Sequence, residues 1–182
     1  VSYALKKSHK IAVDSEYLGA ETQKIYNKSD YKVIVWGADD IAFEIFAQKK
    51  QNDFVLQKPL KVIVPRSHYP VYNNRFIIKA LKESLIDKNI TISFPGWGDD
   101  FESFKKLITN EQIKTGIEFY DFKSREGFNK FLSGFDIYLS AALSDSSPAS
   151  LIEAMAAGLY PVVGDIPGVK EWMDGTNGAL FD

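Results

Sequence analysis

The sequence predicts an α/β protein with a doubly wound parallel sheet. Short apolar, β-branched runs recur along the chain and longer amphipathic segments separate them. The composition sits at globular averages, 45% hydrophobic and 25% charged over 182 residues. A chain of this size buries one core, or one core and a fragment of another.

The apolar runs fall at 11–13, 33–36, 61–64, 90–94, 117–120, 136–139 and 160–163, all of strand length. Between them, 16–28, 74–87, 101–109, 126–133, 148–157 and 168–173 read as helices. Phe76, Ile77, Ala80, Leu81 and Leu85, for example, share one stripe at helical spacing. One stretch breaks the rhythm: residues 44–59, EIFAQKKQNDFVLQKP, are charged and amide-rich and close on Pro59, as linkers do. The segment before this stretch is too short for a domain, and the segment from 60 to 182 is long enough for a sheet covered on both faces. Residues 1–43 are therefore expected to be the tail of an upstream domain, and 60–182 the principal domain, truncated at its C-terminal end. Val1 in place of Met reads as a boundary or a processed end.

Composition removes several classes of function. A net charge of -2 and a pI near 5.8 give no electrostatic reason for a nucleic-acid partner. The basic clusters Lys6-Lys7 with Lys10, and Lys49-Lys50, read as solvated faces. With no cysteine there are no disulfides, thiolate zinc sites or Cys nucleophiles, which fits a reducing cytoplasm. His9 and His68 are too few for a multi-histidine centre, so no metal is expected. No apolar run approaches the ~20 residues that span a bilayer, and VSYALKKSHK has no apolar signal core.

Ligands of doubly wound sheets bind at the carboxyl ends of the strands, where helix N-termini offer free amides. Three strand-to-helix turns stand out. In the first, Leu139 to Gly158, Ser147 is expected as the N-cap and Pro148 at the first helical position, with the amides of Ser147 to Ser150 open to a phosphate. At ~100° per residue, Leu151, Ile152 and Met155 point to the core. Glu153 then lies opposite among Ala149, Ser150, Ala156 and Ala157. A lone carboxylate among small residues suits close approach by a ligand, although a close-packed helix with one surface Glu has the same composition. In the second turn, residues 65–75, Arg66 can hold a diphosphate with two hydrogen bonds; a surface ion pair would place it there equally well. His68 in the same loop could assist Arg66, but a single loop histidine is expected to be exposed. The third turn, residues 94–100, carries Gly96 and Gly98 and reads as a plain turn, since the chain has no G-x-G-x-x-G and no P-loop.

Asp145, seven residues and then Glu153-Ala154-Met155-Ala156-Ala157-Gly158 form a longer pattern. Residues 144–181, SDSSPASLIEAMAAGLYPVVGDIPGVKEWMDGTNGALF, resemble the C-terminal domain of family 4 retaining glycosyltransferases of the glycosyltransferase B-fold. Weaker similarity covers Val64-Pro65-Arg66 with Tyr72-Asn73-Asn74, and Trp36-Gly37-Ala38-Asp39 with Phe43. The resemblance implies a Rossmann-like, nucleotide-sugar-binding domain at 60–182, the C-terminal half of that fold, with a remnant of its N-terminal domain. It implies that Glu153 binds the ribose hydroxyls of a nucleoside-diphosphate sugar and that Asp145 sits beside the transferred sugar. Ser146, Ser147, Pro148, Ala149 and Ser150 would flank that sugar and its phosphate. Arg66 would neutralise the leaving diphosphate, while Asp121 and Phe122 would meet the base, with Gly96 counted among the nucleotide-contacting positions.

Two departures stand beside it. Asp145 replaces the commoner Glu, and the Lys that often partners the Arg falls among Asn73, Asn74 and Arg75. The implied partners are a nucleotide sugar, which is a substrate rather than a cofactor, and a glycan or lipid-linked acceptor met through the N-terminal domain. Cytoplasmic location, with peripheral membrane contact in the full-length protein, belongs to the same implication. The fragment alone is expected to be inactive. A sugar-nucleotide epimerase of similar architecture and a non-catalytic nucleotide-binding module are the alternatives.

Overall fold

The structure, a computed structural model, describes residues 2–26, 30–51, 58–121 and 124–182. A short helix, α1 (Ser2–Lys7), precedes a small parallel sheet of β1 (Ile11–Val13) and β2 (Tyr31–Val33), joined through α2 (Glu16–Tyr26). After α3 (Asp40–Gln51) the chain builds a larger sheet. Its strands are β3 (Leu60–Ile63), β4 (Ile90–Pro95), β5 (Ile117–Tyr120), β6 (Ile137–Ser140), β7 (Tyr160–Gly164) and β8 (Ala179–Phe181). All pair in parallel, in the order β5-β4-β3-β6-β7-β8. The winding reverses between β3 and β6, the point at which a doubly wound sheet opens a crevice at its carboxyl edge.

Alternation along each strand divides the core into two layers. Ile63, Tyr138 and Val163 face one side, packed with Leu132, Leu151 and Ala154. Val62, Ile92, Phe94 and Leu139 face the other, packed with Ile77, Ile78, Phe104 and Leu107. Helices α4 (Asn74–Ala80), α5 (Lys82–Ile86) and α6 (Phe101–Asn110) supply the second layer, and α7 (Arg125–Leu132) and α8 (Ala149–Ala156) the first.

The structure departs from the sequence reading in several places. Residues 44–51, placed in a linker, are the body of α3, which packs on α7 and α8 and buries Ala42 and Ile45 in the main core. Within the rest of that stretch, 52–57 lie outside the described residues. The strand expected at 33–36 runs instead from Tyr31 to Val33. Its last rung is the Ile34 amide on the Val13 carbonyl (2.8 Å), because β1 ends where Asp14 and Ser15 turn into α2. The helix expected at 74–87 breaks at Leu81, whose φ of -105° and ψ of 10° leave the helical region. Residues 168–173 form consecutive turns rather than a helix, with Val169 and Lys170 bonding back three residues to Ile166 and Pro167. Among the described residues, no helix is long and apolar enough to cross a membrane.

The small sheet is fastened to the large domain. The Glu171 carboxylate accepts from the Glu16 amide (3.1 Å) and the Tyr17 amide (2.7 Å), capping α2 from across the molecule. This satisfies two of the donors that a helix start leaves free.

Candidate functional site

The loops after β3 and β6 flank the reversal point, and both carry residues singled out in the sequence. Arg66 follows β3 and Asp145 follows β6, and the guanidinium Nη2 donates to the Asp145 carboxylate in an ion pair that is largely buried on both sides. The Arg66 Cζ also lies 5.3 Å from the centroid of the Tyr72 ring, within cation–π range. Burial works against the Arg66 charge, but the Tyr138, Asp145 and Tyr72 oxygens outweigh it and hold its pKa above the ordinary value. Its Nε is buried with no acceptor among the described residues. Sequence reasoning does not single out Tyr72 for chemistry, since an aromatic in a loop has no spacing signature.

A polar relay beneath Arg66 fixes the loop. Asn74 is buried at the start of α4, and its Nδ2 donates to the Arg66 carbonyl (2.9 Å). His68, expected to be exposed, is only 2% accessible. The ring packs on Phe104 with centroids 4.2 Å apart and also contacts Phe94, Phe101 and Phe119. Its Nε2 bonds the Pro95 carbonyl (2.8 Å) and its Nδ1 lies 3.3 Å from Asn74 Nδ2, a pattern that fits the neutral tautomer protonated on Nε2. A polar residue in a polar loop reads as exposed; the four neighbouring phenylalanines come from elements that only the fold brings together.

Burial lowers the His68 pKa, against a smaller raising effect from the Pro95 carbonyl. The unfolded chain therefore binds this proton more readily than the folded one. The His68 contribution to stability should be complete above the unfolded pKa of about 6.5 and should diminish as pH falls below it, until the folded form also protonates. Urea titrations between pH 8 and pH 5 should show that decline in the wild type and a weaker one in His68→Gln; parallel curves would contradict the assignment.

The third turn packs against the same loop. The His68 amide donates to the Trp97 carbonyl (3.1 Å) and the Asp100 amide to the His68 carbonyl (2.8 Å). Gly98 adopts φ +127°, and a Cβ there would lie 2.7 Å from the His68 carbonyl oxygen, so this glycine is required by backbone approach. Gly96 donates its amide to the Tyr120 carbonyl (2.8 Å) and neighbours Asp121 at the carboxyl ends of β4 and β5. Phe122 lies outside the described residues.

The start of α8 also differs from expectation. Ala149 is the first helical residue and Pro148, with φ -74° and ψ 90°, occupies the N-cap. The Pro148 carbonyl accepts the first helical bonds, from Leu151 (2.8 Å) and Ile152 (3.2 Å). Ser147 is therefore not the cap, and its hydroxyl is buried without a protein partner among the described residues. Pro148 has no amide to offer, which leaves those of Ala149 and Ser150 at the positive end of the helix. The Ser150 hydroxyl meets Tyr138 (3.1 Å). Glu153 is half-buried one turn on. Part of the small-residue pattern has a packing cause: Ala154 and Ala157 are fully buried in the core that α3 completes, and Gly158 at φ +75° lies against Phe46.

Two adjoining depressions lie at this edge and share Ala142, Gly164 and Ile166. Arg66, Asp145 and Pro148 line the tighter one, whose free volume is only about 10 Å³. The wider one, about 190 Å³, is bounded by Asn73, Phe76, Leu143, Asp165 and Phe181. Arg75, near the position of the family Lys, turns away to Ser103 (2.8 Å).

Solved structures of glycosyltransferases share this architecture. The pneumococcal O-GlcNAc transferase GtfA, in complex with UDP and GlcNAc, superposes with a TM-score of 0.80 at 20% identity, over 98% of this chain and 35% of that one. Anabaena HepE, in complex with UDP and glucose, gives 0.74 at 18% identity, over 100% and 51%. The sucrose-phosphate synthase of Thermosynechococcus elongatus gives 0.79 at 13% identity, over 98% and 46%. The chain thus spans about a third to a half of the proteins it resembles. No curated protein sequence matches it. The six-stranded sheet is that of the C-terminal, Rossmann-like domain of glycosyltransferase B-folds. The family model of glycosyl transferases group 1 matches residues 45–182, and the chain belongs to that family.

Proposed function

We propose that this chain binds a nucleoside-diphosphate sugar and serves as the donor half of a retaining, hexosyl-type glycosyltransferase. The observation that carries the reading is the convergence of Arg66, Asp145 and the start of α8 on the crevice where the sheet order reverses. Transfer breaks the bond between the anomeric carbon and a phosphate oxygen, so negative charge gathers on the departing diphosphate. Arg66 and the amides of Ala149 and Ser150 would meet that charge. Asp145, oriented by Arg66, would face the transferred sugar, and Glu153 would take the ribose hydroxyls. Gly96 after β4 and Asp121 after β5, one and two strands from β3 along the same edge, would lie toward the base. The acceptor, a glycan or a lipid-linked glycan, would enter from a facing N-terminal domain to which the small sheet of β1 and β2 would belong. The 182-residue chain alone would bind donor without turning it over.

Isothermal titration with UDP, GDP and ADP tests the reading directly. One of them should bind saturably, and Glu153→Ala should weaken it about 10- to 100-fold, as expected for hydrogen bonds to a charged group. Absence of any saturable binding, or equal affinity in the variant, would refute it.

A further inference from the structure

The small sheet contributes a side chain to the loop that holds Asp145. Asp14 stands at the carboxyl end of β1, and its Oδ2 accepts from the Ser146 hydroxyl (3.0 Å) and from the Trp36 indole nitrogen (3.3 Å). Its backbone is confined on both sides. Val13 is paired to β2, and Ser15, fully buried, receives the Leu18 amide on its Oγ (3.1 Å) at the start of α2. The Glu171 clasp on Glu16 and Tyr17 then locks that helix start to the large domain. Asp14 Oδ1 is buried and has no protein donor among the described residues. An unsatisfied carboxylate oxygen is costly to bury, so packing alone would not favour Asp at this place.

The direction of the hydrogen bonds gives the consequence. Ser146 gives its hydroxyl proton to Asp14 and its amide proton to Asp145 Oδ1 (3.0 Å). Both of its protons are thus committed to carboxylates. What Ser146 has left for a ligand is the lone-pair side of its hydroxyl, which accepts hydrogen bonds and does not donate them. A phosphate, which offers acceptors, is a poor match for that oxygen. A sugar hydroxyl, which offers a proton, is a good one.

Building on the donor-site reading above, we propose that Asp14 is a positioning residue for the transferred sugar. It turns the Ser146 hydroxyl into an acceptor for one of that sugar's hydroxyl groups. Ser146 therefore belongs to the sugar subsite and not to the phosphate subsite. The small sheet takes part in donor recognition through a residue 132 positions away in sequence.

The test compares nucleotide and nucleotide sugar in the intact protein. Affinities for UDP, UDP-glucose, UDP-N-acetylglucosamine and the matching GDP and ADP pairs are measured in wild type, Asp14→Ala, Ser146→Ala and the double variant, with melting curves to check folding. In wild type one nucleotide sugar should bind more tightly than its parent diphosphate. That gain should fall by about 3- to 10-fold in either single variant, while diphosphate affinity changes less than about twofold. The double variant should lose no more than Ser146→Ala alone, because one interaction is removed in both. A gain that survives in folded Asp14→Ala, or losses that simply add, would overturn the proposal. If Asp14→Ala unfolds, an undiminished gain in Ser146→Ala overturns it as well. Wild type that binds neither nucleotide nor nucleotide sugar would remove the donor-site reading itself, and this inference with it.

Discussion

Arg66→Ala should be the most damaging single substitution in this domain, for two separable reasons. It leaves the Asp145 carboxylate largely buried with its principal cation gone, and breaking a buried pair in this way costs about 3–5 kcal/mol. In a protein of this size that lowers the melting temperature by roughly 10 °C. It also removes the cation that lines the crevice at the sheet reversal, so nucleoside-diphosphate binding should fall below detection. On the proposed function, glycosyl transfer that depends on this site should fall by about 100- to 1,000-fold. The two effects can be pulled apart with Arg66→Met/Asp145→Leu, which replaces the pair by apolar groups of similar bulk. Much of the melting temperature should return, since well-packed apolar pairs match buried ion pairs in stability, but binding should not. Restored binding in the double variant would show that Arg66 does not touch the diphosphate.

Gly168→Ala should come next, although Gly168 has no chemistry of its own. A Cβ at this position would lie 2.8 Å from the Asp145 carbonyl carbon and would overlap the carbonyl oxygens of Asp145 and Ser146. Those atoms are backbone and cannot rotate aside. Either the turn at 166–173 or the 145–148 loop must move, and overpacking of this kind costs about 1–3 kcal/mol. The same turn carries Glu171, which clasps α2, so the displacement should reach the small sheet as well. Calorimetric unfolding should record a melting temperature lower by roughly 3–8 °C, accompanied by weaker nucleotide binding because Asp145 and Ser146 are moved. An Ala variant that melts and binds like wild type would mean that the turn has slack the close approach does not suggest.

Much of the architecture is legible along the chain because its causes are local. Strands at 61–64, 90–94, 117–120 and 160–163 declare themselves through β-branched runs bounded by turn residues, and they recur within a residue or two in the sheet. Pro148 marks the start of α8 to within one position, since its fixed φ admits little else. The spacing from Asp145 to Glu153 places both on one loop–helix unit, and the β3 and β6 loops that hold Arg66 and Asp145 do converge. By contrast, α3 escapes the reading because its apolar residues are confined to 41–47 and run directly into a charged, amide-rich stretch, and only the α7 and α8 faces they meet justify them. The strand β8 escapes a reading of the sequence because three residues at the edge of a sheet have too little pattern to read.

Sequence alone was sufficient for the strand–helix alternation, the placement of Arg66 and Asp145 at strand ends, and the family pattern from Asp145 to Gly158. Each of these depends on side-chain period, backbone restriction or spacing within one segment. The burial of His68 among phenylalanines, the demand for glycine at 98 and 168, and the reach of Asp14 to Ser146 were decided by tertiary structure. Each is a meeting between segments far apart in the chain, and the physics that governs it, exclusion of atoms and loss of water, begins only when those segments touch.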